Sequence, residues 1–299
     1  MRRRFVTLDV FTDRRFTGNS LSVVLDADAL ETGLMQSIAR EFNHPETVFV
    51  LPSADPGHRA RLRIFTPAAE LPFAGHPTVG TAVLLARLDG GSAPRDIVVE
   101  EGIGAVRCRA AMIDHDLGRA SFGLPRLPVE GGAAPDPAAA AAALSLAPEE
   151  VGFDGFRPAR WSAGLLQTFV PVRSLAAIAR ARPDLARFEQ TFALNGPGVA
   201  YLYCGEVAEA GHDFHARMFA PALGVLEDPA TGSAAAAFAG LWAAHRRRAD
   251  GEHVLRIEQG YEMGRPSLIE VTLTVAGGKL ATAAIGGAAV VVSEGTIEA

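Results

Sequence analysis

Only two cysteines, Cys108 and Cys204, occur in 299 residues. That excludes a disulfide framework and leaves no paired ligand spacing for a structural metal. No apolar stretch reaches about 18 residues without a charge, Gly or Pro, which excludes a transmembrane helix. Positive charge is not in excess: a net charge of −6 and a pI near 5.8 give no basic field for nucleic acid. Nucleotide loops of the GxxxxGK[ST] or GxGxxG kind are missing too, with only the short Gly102-Ile103-Gly104 in their place. Arg2, Arg3 and Arg4 lead straight into FVTLDVF, too short for a signal-peptide apolar region. The simplest expectation is a soluble, cytoplasmic protein with neither metal nor nucleic-acid partner.

What is present is apolar and duplicated. At 48% hydrophobic the chain can bury a substantial core, and its length suggests about two domains or one large one. FVTLDVF alternates like a strand, LSVVL follows a Gly-Asn-Ser turn, and TVFVL and RLRIF read as further strands. Met35 to Phe42 has helical spacing. Thr78 to Leu88 and about Ser233 to His245 are nearly all small or aliphatic, so each is expected as a helix buried on every side. The Gly-, Pro- and Ala-rich PRLPVEGGAAPDP, 125–137, marks the boundary between domains 1–126 and 127–299, with the last ~15 residues free to pack back on the first. Asp136-Pro137 has the form of an N-cap and first-turn proline for a surface helix over the alanines that follow. Arg246-Arg247-Arg248 fits a helix C-terminus, where positive charge is favoured.

The two halves repeat one order of features about 154 residues apart. RIFTP at Arg63 is matched by RMFAP at Arg217, and GHPTVGTAVLLA by EDPATGSAAAAFAGLWA. From Phe65 to Thr78 is 13 positions and from Phe219 to Thr231 is 12. Both small-residue helices therefore start beside a polar loop. A helix N-terminus leaves about four N–H groups unpaired and carries partial positive charge, so it attracts anions. Small residues let a ligand come close to that backbone. A matched pair of such starts could clasp a small carboxylate.

Titratable residues stand near both starts. His76 has a near-neutral intrinsic pKa and could donate a hydrogen bond or a proton; capping the helix is its plainer role. Asp228 is the charged residue at the corresponding junction, with N-capping as the plainer role. Ser233 could offer its hydroxyl and N–H to a carboxylate. Glu46, between Pro45 and an apolar strand, could be partly desolvated and suited to general acid–base work. His212 and His215 sit in a strand-like segment that would point them to opposite faces, and read as structural. Phe73, Phe219 and Trp161 could line a pocket, but core packing is the simpler role for each.

DVFTDRRFTGNSLSVVL, EFNHPETVFV, RIFTPAAELPFAGHPTVGTA, RMFAPALGVLEDPATGSAAAA and EQGYEMGRPSLIEV together resemble the PhzF-like proteins of phenazine biosynthesis, over nearly the whole chain. The resemblance implies an α/β (α+β) fold like that of diaminopimelate epimerase: two similar domains, each a curved, mostly antiparallel sheet or barrel around a central helix, with the active site in the cleft between them. It implies a cofactor-independent isomerase, commonly homodimeric, acting on a small carboxylate-containing substrate. Its catalytic residues fall on Glu46, His76 and Asp228, and its binding residues on Gly75, Gly232, Ser233 and Asn19. Glu46 would take a proton from an activated carbon and return it at another. Ser20 and Pro45 depart from the family, which often has Pro and Ser there. An amino-acid racemase of the same fold would use a cysteine pair at the helix starts, where this chain has none. A non-catalytic small-acid-binding protein is the remaining alternative.

Overall fold

The computed structural model describes residues 1–245 and 248–299. In chain order the elements are β1 (Arg2–Val10), β2 (Asn19–Val24), α1 (Thr32–Phe42), β3 (Glu46–Leu51), β4 (Ala60–Phe65), β5 (Glu70–Leu71), α2 (Gly75–Asp89), β6 (Arg95–Glu101), β7 (Gly104–Met112) and β8 (Leu117–Gly123). There follow β9 (Val129–Glu130), α3 (Pro137–Ala143), β10 (Ala159–Ser162), β11 (Leu166–Pro171), α4 (Leu175–Arg180), α5 (Leu185–Phe192), β12 (Ala200–Cys204), β13 (Phe214–Ala220), β14 (Val225–Asp228), α6 (Gly232–His245), β15 (Gly251–Gln259), β16 (Ser267–Ala276) and β17 (Lys279–Glu298). The chain divides into one unit of residues 1–125 and 286–299 and a second of residues 126–285.

In the first unit β1 pairs with β2, β2 with β3, β3 with β4, β4 with β6, β6 with β7 and β7 with β8. The long β17 closes the ring by pairing with both β8 and β1. The result is a closed eight-stranded barrel, antiparallel except at β2–β3 and β4–β6. Helix α2 fills it, touching β1, β2, β3, β6, β7 and β8. Every residue from Gly75 to Ala86 is buried, which is why this helix has no polar face to read in its sequence. Helix α1 instead lies against β3 and β4, burying Met35, Ile38 and Ala39 at helical spacing.

The second unit repeats the plan. Strands β9 to β13 and β15 to β16 form one sheet with β11–β12 and β13–β15 parallel, and α6 touches β9, β10, β11 and β16. Helix α6 is buried from Ala234 to Trp242. Asp136 caps α3 by accepting from the N–H groups of Ala138 and Ala139, as its sequence suggests. Its outer face exposes Ala138 and Ala139, while Ala140, Ala141 and Ala143 pack into a core with Phe188 and Phe192. Arg246 and Arg247 of the expected helix-end cluster lie outside the described residues; Arg248 covers the Trp242 ring at 3.9 Å.

The duplicated motif has a physical content that its letters only hinted at. Arg63 makes a two-pronged pair with Glu70 (2.7 and 2.6 Å) and stands over the Phe65 ring at 5.2 Å. Arg217 does the same with Glu227 (2.7 and 2.8 Å) and Phe219 at 4.8 Å. Two residues apart on a strand share a face, so Arg-x-Phe stacks cation on ring while the guanidinium fork meets a carboxylate. A second repeated device lies in the loops before β4 and β13. Glu100 accepts the N–H groups of Ala54 and Asp55 and lies 2.9 Å from His58 Nδ1. Glu258 accepts those of Ala208 and Glu209 and lies 2.6 Å from His212 Nδ1. These backbone bonds, from Ala54 first, pull Glu100 down to about 2.

Candidate active site

The parallel pairing of β2 with β3 sets the starts of both strands at one end of the barrel, with Leu21 opposite Glu46. The N-terminus of α2 reaches the same end, because the ring of His76 bonds to the backbone of Ser20. His76 Nε2 then faces Glu46 Oε2 at 3.3 Å. That contact lacks hydrogen-bond geometry, and among the described residues Nε2 has no hydrogen-bond partner. The Ser20 bond therefore uses Nδ1, which fixes the tautomer with the Nε2 lone pair toward Glu46.

The sequence suggested a proton-donating His76. Its side chain is only 6% exposed, and burial, aided by the neighbouring His44, pushes it down to about 3 against the pull of the Ser20 bond. His76 is thus a neutral imidazole near pH 7, an acceptor at Nε2 and a donor at Nδ1. Glu46 is half-buried at the start of β3. Gly75 is buried as the first residue of α2, and Asn19, 1% exposed, opens β2 directly before Ser20. Four of the seven residues expected at the site, Glu46, His76, Gly75 and Asn19, therefore belong to the first unit.

Asp228, Gly232 and Ser233 belong to the second. Asp228 ends β14, and its Oδ2 accepts the Thr231 hydroxyl at 2.5 Å. Gln259, at the end of β15, ties the junction together. Its amide nitrogen donates to Thr231 Oγ1 (3.0 Å) and to the Asp228 carbonyl (2.8 Å), while its oxygen accepts the Thr231 N–H at 3.2 Å. Gly232 opens α6, and Ser233 Oγ receives a bond from Gln167 Nε2 at 3.4 Å. Gly260 makes this corner possible: at φ +81° an added Cβ would stand 2.4 Å from the Arg265 carbonyl and 2.6 Å from that of Pro229.

The first unit carries an equivalent of Gln259 that no sequence motif announces. Glu101 ends β6 as Gln259 ends β15, and Gly102 backs onto Pro72 as Gly260 backs onto Pro229. Glu101 Oε1 lies 2.8 Å from the hydroxyl of Thr78, the residue aligned with Thr231. Only 7% of Glu101 is exposed, and burial pushes it up to about 7 against the Thr78 bond. The one signal in the letters is Glu-Glu-Gly at 100–102 against Glu-Gln-Gly at 258–260, too short to notice without the strand register.

The remaining chemistry-bearing residues fall elsewhere. Cys108 and Cys204 lie in β7 and β12, where burial pushes each thiol up to about 12. His212 and His215 do not point to opposite faces as the sequence suggested. His212 precedes β13 in a turn, and both rings converge on Glu258 at 2.6 Å. Despite burial, Glu258 and Glu262 push His215 up to about 9, so this is an internal ion cluster. Phe73 packs edge-on against Phe122 and Trp161 against Gly240. Among the described residues no group of three or more His, Cys, Asp or Glu could hold a metal. No helix among them is long and apolar enough to cross a membrane.

A central buried helix in a mostly antiparallel barrel, duplicated, with a carboxylate and a histidine at the helix start, defines a racemase- and isomerase-type fold like that of diaminopimelate epimerase. Residues 8–295 match the model of the phenazine biosynthesis-like protein family, and the chain belongs to it. It is 50% identical over 302 residues to an uncharacterized isomerase of Mesorhizobium japonicum, covering 99% of this chain and 98% of the relative. It is 36% identical over 295 residues to the trans-2,3-dihydro-3-hydroxyanthranilate isomerase of Pseudomonas aeruginosa, covering 98% of each. A solved phenazine biosynthesis protein of the PhzF family from Bacillus anthracis superposes over 100% of both chains with a TM-score of 0.89 at 26% identity. The chain is an enzyme of the isomerase class.

Proposed function

We propose that the protein is a cofactor-independent isomerase that relocates a proton on a small carboxylic acid. Glu46 takes a proton from a carbon beside a polarised double bond or carboxylate. The electron pair left behind shifts into the conjugated system, and the same proton returns at a second carbon, so nothing is consumed. General acid–base transfer of this kind needs a carboxylate within reach of the carbon and a partner for its protonated form. The observation that carries the reading is His76 Nε2 at 3.3 Å from Glu46 Oε2, on an imidazole that burial keeps neutral. Once protonated, Glu46 finds an acceptor already in place.

The helix starts at Gly75 and at Gly232-Ser233 supply N–H groups for the substrate carboxylate, and Asn19 and Asp228 orient the acid. The buried, high-pKa thiols of Cys108 and Cys204 disfavour a cysteine-pair racemase. We propose a homodimer in the cytoplasm, in line with the family resemblance. The trans-2,3-dihydro-3-hydroxyanthranilate isomerase relative makes cyclohexadiene acids the first substrates to try. The test is deuterium uptake from heavy water into candidate acids. Glu46→Gln should abolish uptake while folding and ligand-induced thermal shift persist. Uptake at the wild-type rate in that variant sinks the mechanism.

A further inference from the structure

The two units build the same corner from different chemistry. In the second, a hydrogen-bond chain runs in one direction: the Gln259 amide donates to Thr231 Oγ1, and Thr231 donates to Asp228 Oδ2. In the first, Thr78 Oγ1 has two oxygen neighbours, the Ala74 carbonyl at 2.7 Å and Glu101 Oε1 at 2.8 Å. A hydroxyl has one proton, and the Ala74 carbonyl can only accept. If Thr78 donates to Ala74, as threonines commonly do one turn back along a helix, the second bond needs a donor from Glu101. A carboxylate has none.

We infer that Glu101 works as a neutral carboxylic acid whose O–H donates to Thr78, fixing the first turn of α2 and with it the seat of His76. Glu101 is then the counterpart of Gln259 in hydrogen-bond sense as well as in position, and a positioning residue for the proton transfer proposed above. That role rests on the proposed function; the place of the proton does not.

The surroundings agree. Glu101 Oε2 is buried and has no hydrogen-bond partner among the described residues, a poor site for a full negative charge. On α2 the side chain meets the Thr78 hydroxyl. On β7 the titratable neighbour is Cys108, whose thiol burial pushes up to about 12, so it stays neutral. On β4, Arg61 stands opposite Glu100, hence on the other face of the sheet from Glu101. The start of α2 favours an anion, and burial outweighs it, leaving the group at about 7. Above that pH the carboxyl loses its proton. Thr78 must then turn its hydroxyl toward Glu101 and release Ala74, in the turn that carries His76.

Two measurements on the whole protein read this without turnover. Infrared spectra of protein carrying 13C-labelled glutamate, taken as wild type minus Glu101→Gln, should contain the C=O band of a protonated acid at pH 6, fading with a midpoint near 7. NMR of the His76 ring should move with the same midpoint. In Glu101→Gln, which keeps a donor, it should hold its low-pH position throughout. Thr78→Val, which removes the acceptor, should displace the His76 signals at pH 6. A carboxylate band in place of the acid band at pH 6 overturns the assignment. His76 signals indifferent to the titration and to Thr78→Val overturn the positioning role. A Glu46→Gln variant that still exchanged solvent deuterium would defeat the proposed function and leave the proton assignment untouched.

Discussion

Lowering the pH should unfold this protein through His76. In the unfolded chain the imidazole titrates at its ordinary 6.5, whereas in the barrel burial pushes it to about 3. The folded state therefore binds fewer protons than the unfolded state throughout that window. Stability from the neutral ring is full above pH 6.5 and lost as pH falls toward 3. Each pH unit in the window removes about 1.4 kcal/mol, so pH 5 removes about 2 kcal/mol relative to pH 7.5. That is a sizeable part of the 5–15 kcal/mol typical of a domain. The perturbation is His76→Gln, which keeps a polar group of similar size and removes the titration. Urea unfolding from pH 8 to 5 should give two curves that converge as pH falls, the wild type losing about 2 kcal/mol more than the variant. Titrations shared by the two proteins cancel in the difference. Parallel curves would refute the reasoning, because Glu46 at 3.3 Å would then be taking up the imidazolium as an ion pair. Ring NMR at pH 5 distinguishes the two cases directly, through a neutral or a protonated His76.

Two further expectations test other parts of the structure. Replacing Cys108 and Cys204 together by Ala should leave solvent exchange within about twofold of wild type, and both thiols should react with alkylating reagents only on the unfolding timescale; loss of exchange would restore the cysteine-pair mechanism. Arg217→Met leaves Glu227 without its two-pronged partner and strips the carbonyls of Ile178, Ala179 and Ala181 of a donor, so it should destabilise by about 3–5 kcal/mol in urea. A change under about 1 kcal/mol would show that water replaces the guanidinium there.

How far the molecule could be read from its letters followed from the range of the interactions. The two buried helices were legible because burial on all sides leaves an unbroken run of small and aliphatic residues, at Thr78 to Leu88 and again at Ser233 to His245. The duplication was legible through Arg-x-Phe-x-Pro, which keeps its spacing because cation, ring and strand end must fall on one face. Glu101 was not legible. Its meaning lies in the register of β6 against β4 and in a threonine 23 positions back, and nothing local separates it from Glu100, whose role is the opposite. His212 and His215 misled for a similar reason: period-two alternation applies within a strand, and β13 begins between them. The state of His76 depended on burial depth, which a histidine between Gly75 and Pro77 does not announce.

Strand β17 ties the last residues of the chain to the first. Residues 286–299 complete the barrel that Met1 to Pro125 begin, and Ala299 donates its N–H to the Met1 carbonyl at 2.8 Å. On the ribosome, the N-terminal two-fifths of the chain emerges as an open sheet with β1 and β8 as bare edges, and nothing synthesised in the next 160 positions can close it. The usual vectorial order, first domain first, is inverted here: the middle of the chain can finish folding while the beginning waits. The charges on the outer half of β1, at Arg2 and Arg4, are then protection for an edge that stays exposed until residues 286–299 arrive.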